Sequence, residues 1–327
     1  MSEDASYAEP AEMNSAGGRG RWIFLGPNGL RAGWSILLFA TLCAVLIVVA
    51  AWVFGLRLSQ AVLMPRSGLL MELSQLVPAV VATGIMAFLE HRPVLFYGYQ
   101  GRARALRLVS GLVWGFVAIS GVVFLLRHLG YLAMDGFAVA PSVALRYGAE
   151  WGVVFLCVGV CEETLFRGYL QFTMTRGIGF WWGALVFAAL FGFLHHTNPG
   201  ESPVGLVGAG GVSLVFCLSL WYTGSLWWAV GFHAAWDWGQ SFFYGTADSG
   251  VVAGGHFLNA HPVGKPLWSG GTTGPEGSVI VLPLLVVMAV VMWLWWGRRG
   301  EQPFVGAGWK PGWIRQRAEA QIAERQE

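Results

Sequence analysis

Long runs of apolar residues, separated by short polar segments, dominate the chain. A helix that crosses the hydrocarbon core of a bilayer needs roughly 20 predominantly apolar residues. Eight stretches approach this length: Gly33–Leu56, Leu73–Leu89, Leu108–Leu126, Trp151–Leu170, Phe180–His196, Val204–Tyr222, Leu226–Phe242 and Ser278–Gly297. The pattern predicts an all-α fold, a polytopic membrane helix bundle of about eight transmembrane helices.

Composition agrees with this interpretation. Hydrophobic residues make up 55% of the 327 residues and charged residues only 12%, whereas a soluble domain carries about 25% charged residues. Lipid is therefore the expected main solvent, and the lipid bilayer is a predicted partner. The net charge of +2 is too small to indicate a nucleic-acid partner.

The polar segments define the expected organisation. Residues 1–32 are predicted to form a disordered cytoplasmic tail, 33–147 the N-terminal transmembrane helices, and 298–327 a cytoplasmic C-terminal tail. Arg and Lys are concentrated in the segments that face the cytoplasm if both termini lie inside, as the positive-inside rule requires. Gly245–Gly277 is expected to be a long, Gly-rich outer loop.

Ionisable residues are confined to three of the predicted spans. The other five, the first, second, third, sixth and eighth, contain no Asp, Glu, Lys or Arg. A charged group at mid-membrane costs at least about 2.5 kcal/mol, and such groups usually face the bundle interior. The three spans hold Glu162, Glu163, Arg167, His195, His196, His233 and Asp237. One shared polar site inside the bundle explains this distribution.

Helical spacing assigns partners within this set. Glu163 and Arg167 are four residues apart and can form an internal ion pair. Glu162 points about 100° away from Glu163 on the same helix. His233 and Asp237 share a face of a second helix. A buried Glu–Arg pair alone is more often structural than catalytic, and a lone His in a span often only packs. The joint pattern favours a functional site.

Three short motifs carry a family resemblance. Residues 162–167 read EETLFR and match an EExxxR pattern, residues 191–195 match FxxxH, and residues 233–237 match HxxxN/D. Their order and their positions on predicted helices resemble the CAAX-protease and bacteriocin-processing (CPBP, or Abi) family of intramembrane proteases. The resemblance covers residues 148–297, the predicted catalytic transmembrane core, and includes the stretch Thr272–Gly277.

The resemblance implies an intramembrane endopeptidase that hydrolyses a peptide bond in a membrane-associated or lipidated substrate, in a bacterial plasma membrane. It assigns Glu162 as the general base, with His195 helping to orient the water. It gives His233 and Asp237 the stabilisation of the oxyanion, while Glu163 and Arg167 shape the site.

Two features of the chemistry stay open at this stage. Asp237 stands where family members that process CAAX substrates have Asn, so it either acts in a protonated form or, as we favour, orients His233. Glu162, His195, His233 and Asp237 could also supply ligands to zinc. The sequence has no HExxH motif, the commonest signature of a metalloprotease, and we favour a mechanism without a cofactor.

Other function classes compete with the protease. A non-proteolytic scaffold that binds a signalling partner would not need Glu162, and a proton-coupled transporter would also place Glu and His in the membrane. No inverted repeat of the kind found in transporters is evident. One tension remains in the predicted site, because Glu162 lies near mid-membrane and His195 near the outer end of its span, at depths that differ by roughly 10 Å.

Overall fold

The computed structural model describes residues 23–26, 29–54, 62–101 and 103–299. The greater part of the two predicted tails, 1–32 and 298–327, lies outside the described residues. Within the described part of the chain the fold is a helical bundle with three small two-stranded sheets.

Ten helices account for most of the described residues. They are α1 (Ala32–Phe54), α2 (Pro65–Leu89), α3 (Arg104–His128), α4 (Pro141–Glu162), α5 (Gln171–Ile178), α6 (Phe180–Leu194), α7 (Pro203–Thr223), α8 (Trp227–Asp237), α9 (Pro266–Ser269) and α10 (Val281–Trp295). Six helical segments of the described residues are long and apolar enough to cross a membrane. The predicted polytopic helix bundle is confirmed, although the last helix, α10, is shorter than the predicted span Ser278–Gly297.

Two helices begin well before their predicted starts. Helix α2 begins at Pro65 instead of Leu73, and α4 begins at Pro141 instead of Trp151. Proline is favoured at the first helical position because its missing N–H has no partner there in any case. The earlier start places Glu72 inside α2, so the prediction of a second span without acidic residues is wrong.

The α-helical geometry changes directly after each acidic motif residue. A π-helix, Glu163–Leu170, follows α4, and Gly168 within it has non-helical dihedral angles of φ −80° and ψ −115°. A second π-helix, Trp238–Phe243, follows Asp237 at the end of α8. π-Helical turns are rare and frequently lie at functional sites.

Helix α8 is held against α3 by direct backbone contact. A methyl group at Gly111 would overlap the carbonyl oxygen of Trp228, and one at Gly231 would overlap the carbonyl oxygen of Leu108. Small residues allow this approach in membranes, where association depends on close packing. Because α8 carries His233, its contact with α3 fixes the position of this candidate site residue along the bundle axis.

Helices α6 and α7 approach each other in the same way. A methyl group at Gly192 would lie 2.6 Å from the carbonyl oxygen of Leu206, and one at Gly210 would lie 3.2 Å from that of Ala188. Gly210 belongs to the glycine-rich start of the sixth predicted span. These contacts fix the end of α6 from which His195 extends.

The connections at one end of the bundle are joined to each other, and we call this end the loop face. Strand β3 (Val62–Leu63) runs parallel to β5 (Val252–Ala253), and β4 (Leu132–Phe137) pairs antiparallel with β6 (Leu258–Pro262). The third sheet is a hairpin of β1 (Leu25–Gly26) and β2 (Gly29–Leu30), which directly precedes α1 and is separate from the loop face. Gly245–Gly277, predicted as a long outer loop, therefore contains two short strands and α9.

A buried polar cluster secures the opposite end. The Glu90 carboxylate accepts hydrogen bonds from Tyr97 Oη (3.0 Å), Tyr169 Oη (2.7 Å) and Arg176 Nη2 (3.3 Å). Arg176 Nη2 also donates to Ser35 Oγ at 3.2 Å. These contacts tie α1, α2 and α5 together, and they hold the far end of the π-helix that begins at Glu163.

The glycine contact between α3 and α8 gives a first prediction. Gly111→Ala should destabilise the protein by about 1–3 kcal/mol, because the added methyl forces the two backbones apart. Thermal unfolding in detergent micelles measures the change. Gly121→Ala is the matched control on α3, since nothing lies within 4 Å of a methyl group at that position. Equal midpoints for the two variants would contradict the packing described.

Candidate active site

The Glu163 carboxylate is the centre of the buried polar site. Neither Glu163 nor Arg167 has any exposed surface, and Arg167 Nη1 donates a hydrogen bond to Glu163 Oε1 at 3.1 Å. The guanidinium also lies 4.4 Å from the centre of the Phe191 ring, a cation–π geometry that suits a desolvated cation. The predicted ion pair is therefore present.

His233 is held by the same carboxylate. Its Nδ1 lies 3.1 Å from Glu163 Oε1, and because the carboxylate oxygen is the acceptor, Nδ1 carries the hydrogen. Its Nε2 lies 3.7 Å from Glu162 Oε2 and 3.6 Å from Asp237 Oδ2. The imidazole is thus anchored at one nitrogen, while the other faces two carboxylates.

Neighbouring glutamates have opposite environments. The Glu163 side chain is fully buried behind the site, whereas the Glu162 side chain is 32% exposed and lines a cavity. Residues one step apart on a helix point about 100° away from each other, so one ion pair with Arg167 neutralises Glu163 without engaging Glu162. This is the division of roles that helical spacing predicts.

His195 reaches the cavity from the end of α6. Its Nδ1 lies 2.7 Å from the carbonyl oxygen of Phe191, so Nδ1 donates the hydrogen and Nε2 of the neutral ring has a free lone pair. His196 is exposed, and its Nδ1 bonds the carbonyl oxygen of Phe193 instead. His196 does not line the cavity.

Contact between α6 and the π-helix explains why Glu162 and His195 line the same cavity. Phe191 packs under the Arg167 guanidinium and edge-on against Phe166 at a ring distance of 5.1 Å. The two helices run in opposite directions. One turn toward the loop face therefore leads from Arg167 to the Glu162–Glu163 pair and from Phe191 to His195. The packing of α6 thus brings Glu162 and His195 to one cavity, which resolves the tension in the sequence prediction.

A single cavity of about 250 Å³ collects the predicted residues. Its lining includes Glu162, His195, His233 and Asp237, with Glu163 and Arg167 directly behind. The remaining walls are mostly apolar and aromatic, as is usual for ligand pockets.

Sequence reasoning missed four further carboxylates in this cavity. Glu72 comes from α2, Glu201 from the α6–α7 connection, and Asp248 and Glu276 from the loop face. Glu72 lies one residue outside the predicted second span, and the proline at position 65 was the signal that would have included it. No local pattern brings the three acids of the connections toward the bundle interior.

The acids of the loop face are ordered by short hydrogen bonds. Glu276 Oε1 accepts from the Ser249 backbone N–H at 2.7 Å, and Asp248 Oδ2 accepts from Ser241 Oγ at 2.7 Å. Burial, reinforced by the Asp237 carboxylate, raises the pKa of Glu276 to about 7. Burial and the neighbouring Glu276 also raise the pKa of Asp248 well above its usual value.

The arrangement of these side chains bears on the zinc alternative. Among the described residues, no group of three or more His, Cys, Asp or Glu side chains is arranged to hold a metal ion. The Nδ1 atoms of His195 and His233 are already engaged by a carbonyl and by Glu163. The four proposed zinc ligands line the cavity without forming a coordination group.

The Glu163–Arg167 pair gives a second prediction. Arg167→Ala should destabilise the protein by about 3–5 kcal/mol, because it leaves the Glu163 carboxylate buried without its cation. Thermal unfolding in micelles measures this loss. The control is Arg146→Ala, which breaks the exposed pair of Arg146 and Glu150 with the same spacing on α4 and should cost at most about 0.5 kcal/mol. Similar losses in both variants would contradict the burial of the first pair.

Glu276 gives a third prediction. An acid whose pKa is higher in the folded protein stabilises the fold fully below its usual pKa of 4.5, and this stabilisation is lost as pH rises to about 7. The difference in midpoint between wild type and Glu276→Gln should therefore fall across this interval and stay constant above it. Thermal unfolding from pH 4.5 to 8 measures it, with the exposed Glu150→Gln as control. A difference independent of pH would contradict the burial of this carboxyl.

Residues 144–239 match the model of a protein family described as type II CAAX prenyl endopeptidase Rce1-like. The matched segment contains Glu162, Glu163, Arg167, His195, His233 and Asp237. No curated protein and no solved structure matches the chain. The match over residues 144–239 confirms the resemblance to the CAAX-protease and bacteriocin-processing family of membrane endopeptidases.

Proposed function

We propose that this protein is an intramembrane endopeptidase that hydrolyses a peptide bond in a membrane-associated or lipidated substrate, with Glu162 as the general base. One observation carries the proposal. The Glu162 carboxylate opens on a mostly apolar cavity inside a helix bundle, while the adjacent Glu163 is paired with Arg167 and anchors His233. The family match over residues 144–239 supports the reaction class.

Glu162 and His195 activate the water in this proposal. A carboxylate in a water-poor cavity is a competent base because it is weakly solvated. The free Nε2 lone pair of His195 accepts one hydrogen of the water and directs the other toward Glu162. The water oxygen attacks the scissile carbonyl carbon as its proton passes to the Glu162 carboxylate.

His233 and Asp237 stabilise the charge that develops on the carbonyl oxygen. In its protonated form His233 donates from Nε2, the nitrogen that faces the cavity, and Glu163 holds the ring by its Nδ1–H. Preorganised donors of this kind are frequently a large part of catalysis. Asp237, 3.6 Å from Nε2, positions that edge of the ring and balances its charge, in the orienting role that the sequence favoured.

Collapse of the intermediate returns the proton. Glu162, now a carboxylic acid, donates it to the departing nitrogen as the carbon–nitrogen bond breaks. The products are a new carboxylic acid and a new amine, which ionise to a carboxylate and an ammonium group, and the base is restored. Every step uses side chains of this chain and water, without a cofactor.

The setting defines the substrate only in general terms. The apolar cavity walls accept a membrane-embedded or lipid-modified segment, and the site lies inside the bundle toward the loop face. With both termini in the cytoplasm of a bacterial cell, as the distribution of basic residues favours, the loop face is on the outer side of the plasma membrane.

Glu162 gives the fourth prediction. Purified protein in liposomes should release fragments from membrane-inserted peptides, and Glu162→Gln should lower the rate by about 10²–10⁴-fold, because the amide cannot accept the proton. Mass spectrometry measures the fragments. Glu150→Gln is the matched control, since Glu150 is on the same helix, pairs with the exposed Arg146 and does not line the cavity.

Two further measurements separate the alternatives. A chelator should leave the cleavage rate unchanged, and loss of activity that zinc restores would favour the metal-dependent reading. Identical fragments from wild type and Glu162→Gln would contradict the proposal and favour a scaffold. Proton-gradient-dependent solute uptake in the same liposomes, without peptide fragments, would favour a transporter.

A further inference from the structure

The cavity lining is strongly acidic for a site inside a membrane bundle. Six carboxylates and two histidines line it, and no Lys or Arg is found among its described lining residues. The carboxylates are Glu72, Glu162, Glu201, Asp237, Asp248 and Glu276. The cation of the site, Arg167, lies behind the lining and is already paired with Glu163.

Glu72 is one of the four lining carboxylates that the proposed mechanism does not use. It is only 9% exposed and faces the cavity from the second turn of α2. Among the described residues it has no hydrogen bond and no ion pair, and the acidic and basic side chains that act on its charge are Glu162, Asp237 and His233. Two of these three neighbours repel a negative charge at Glu72.

Other buried acids of this protein have partners. Glu163 has Arg167 and His233, and Glu90 has two tyrosines and Arg176. A buried charge without a partner is strongly unfavourable, and ionisable groups in membrane spans usually mark a functional position. An acid that faces a cavity without a partner from the protein is suited to a partner from the ligand.

The acidic lining continues from Glu72 toward the loop face. Asp248 and Glu276 interact with each other and with the site, Asp248 through His233 and Glu162, and Glu276 through Asp237. Their hydrogen bonds to Ser241 and Ser249 fix their positions. Acidic side chains therefore face the cavity both from α2 and from the loop face.

We propose that the cavity selects a peptide that brings a cationic group, a Lys or Arg side chain or a free amino terminus, to Glu72, and that it disfavours a free C-terminal carboxylate near the cleaved bond. The inference rests on the proposed endopeptidase function and specifies its substrate class. A cation supplies the partner that Glu72 lacks, and hydrogen bonds between charged groups are the strong ones.

The same electrostatics separate this protein from an enzyme for unmodified CAAX termini. A CAAX sequence ends shortly after its cysteine, so any bond within it lies close to a free carboxylate. Like charges brought together across an interface suppress binding of the wrong partner. The acidic lining therefore favours an internal bond or a neutral C-terminus over a CAAX carboxylate.

Matched peptides test the charge preference. One apolar, membrane-inserting peptide is made with Lys, Gln or Glu at each position around its cleaved bond, and kcat/KM is measured with the full-length protein in liposomes. At the preferred position Lys should exceed Gln by at least about tenfold, the value of one charge-assisted hydrogen bond, and Glu should be slowest. A farnesylated CAAX peptide should be cleaved faster as its C-terminal amide than as its acid.

Variants of Glu72 assign the preference to this residue. Glu72→Gln should reduce the ratio of Lys to Gln peptides to about one, and Glu72→Lys should invert the preference toward the Glu peptide. Because both readouts are ratios of rates measured with the same variant, a general loss of activity cancels and does not change them. Glu150→Gln, away from the cavity, should keep the wild-type ratio. The affinities of fluorescent Lys and Gln peptides are measured in parallel, and their ratio gives the charge preference without hydrolysis.

Three results would overturn the inference: equal rates and equal binding for Lys and Gln peptides, faster cleavage of the CAAX acid than of its amide, or a Lys preference that survives in Glu72→Gln. Fragments that depend on Glu162 but show no charge preference defeat this inference alone. Fragments that do not depend on Glu162 defeat the proposed function itself.

Discussion

A carboxylate with no access to solvent, that of Glu163, is the constraint on which the site depends. Removing such a group from water costs several kcal/mol unless charged and hydrogen-bonding partners surround it. One partner, Arg167, comes from the same helix, and the other, His233, comes from α8. Helix α8 must therefore pack beside the π-helix in the register that places His233 next to Glu163, and the glycines of α3 allow that approach.

The pairing of Glu163 with Arg167 and His233 leaves Glu162 available. The two residues adjoin in sequence, but the turn of the helix sends one behind the site and the other into the cavity. The acidic lining then makes charge the main property by which this cavity distinguishes ligands, since its apolar walls accept many sequences. Catalytic chemistry and substrate choice thus draw on different carboxylates of one cavity.

Much of this arrangement could be predicted from the sequence. Apolar runs of sufficient length indicate the bundle, and the spacing of Glu163 and Arg167 predicts their ion pair because both depend on local helical periodicity. The depth of His195 could not be predicted, because it depends on the register between α6 and the π-helix, where Phe191 meets Arg167. Register between helices is a property of packing and not of either segment alone.

Glu72 and the acids of the loop face illustrate a second limit. Glu72 falls within the first turns of α2, in a less apolar stretch that hydropathy assigns to the region before the span. Asp248 and Glu276 belong to connections whose polar composition predicts solvent exposure. Their positions at the cavity result from pairing between distant connections, such as β3 with β5, and from hydrogen bonds such as that of Glu276 with Ser249. No local pattern encodes these contacts.

Cleavage in water enriched in ¹⁸O tests the central claim most directly. Purified protein in liposomes, treated with a chelator, is incubated with a membrane-inserted peptide, and the fragments are weighed by mass spectrometry. We expect one ¹⁸O atom in the new C-terminal carboxylate of the wild-type product, and no such product from Glu162→Gln. Fragments without ¹⁸O, or equal labelled product from the variant, would contradict water attack assisted by Glu162.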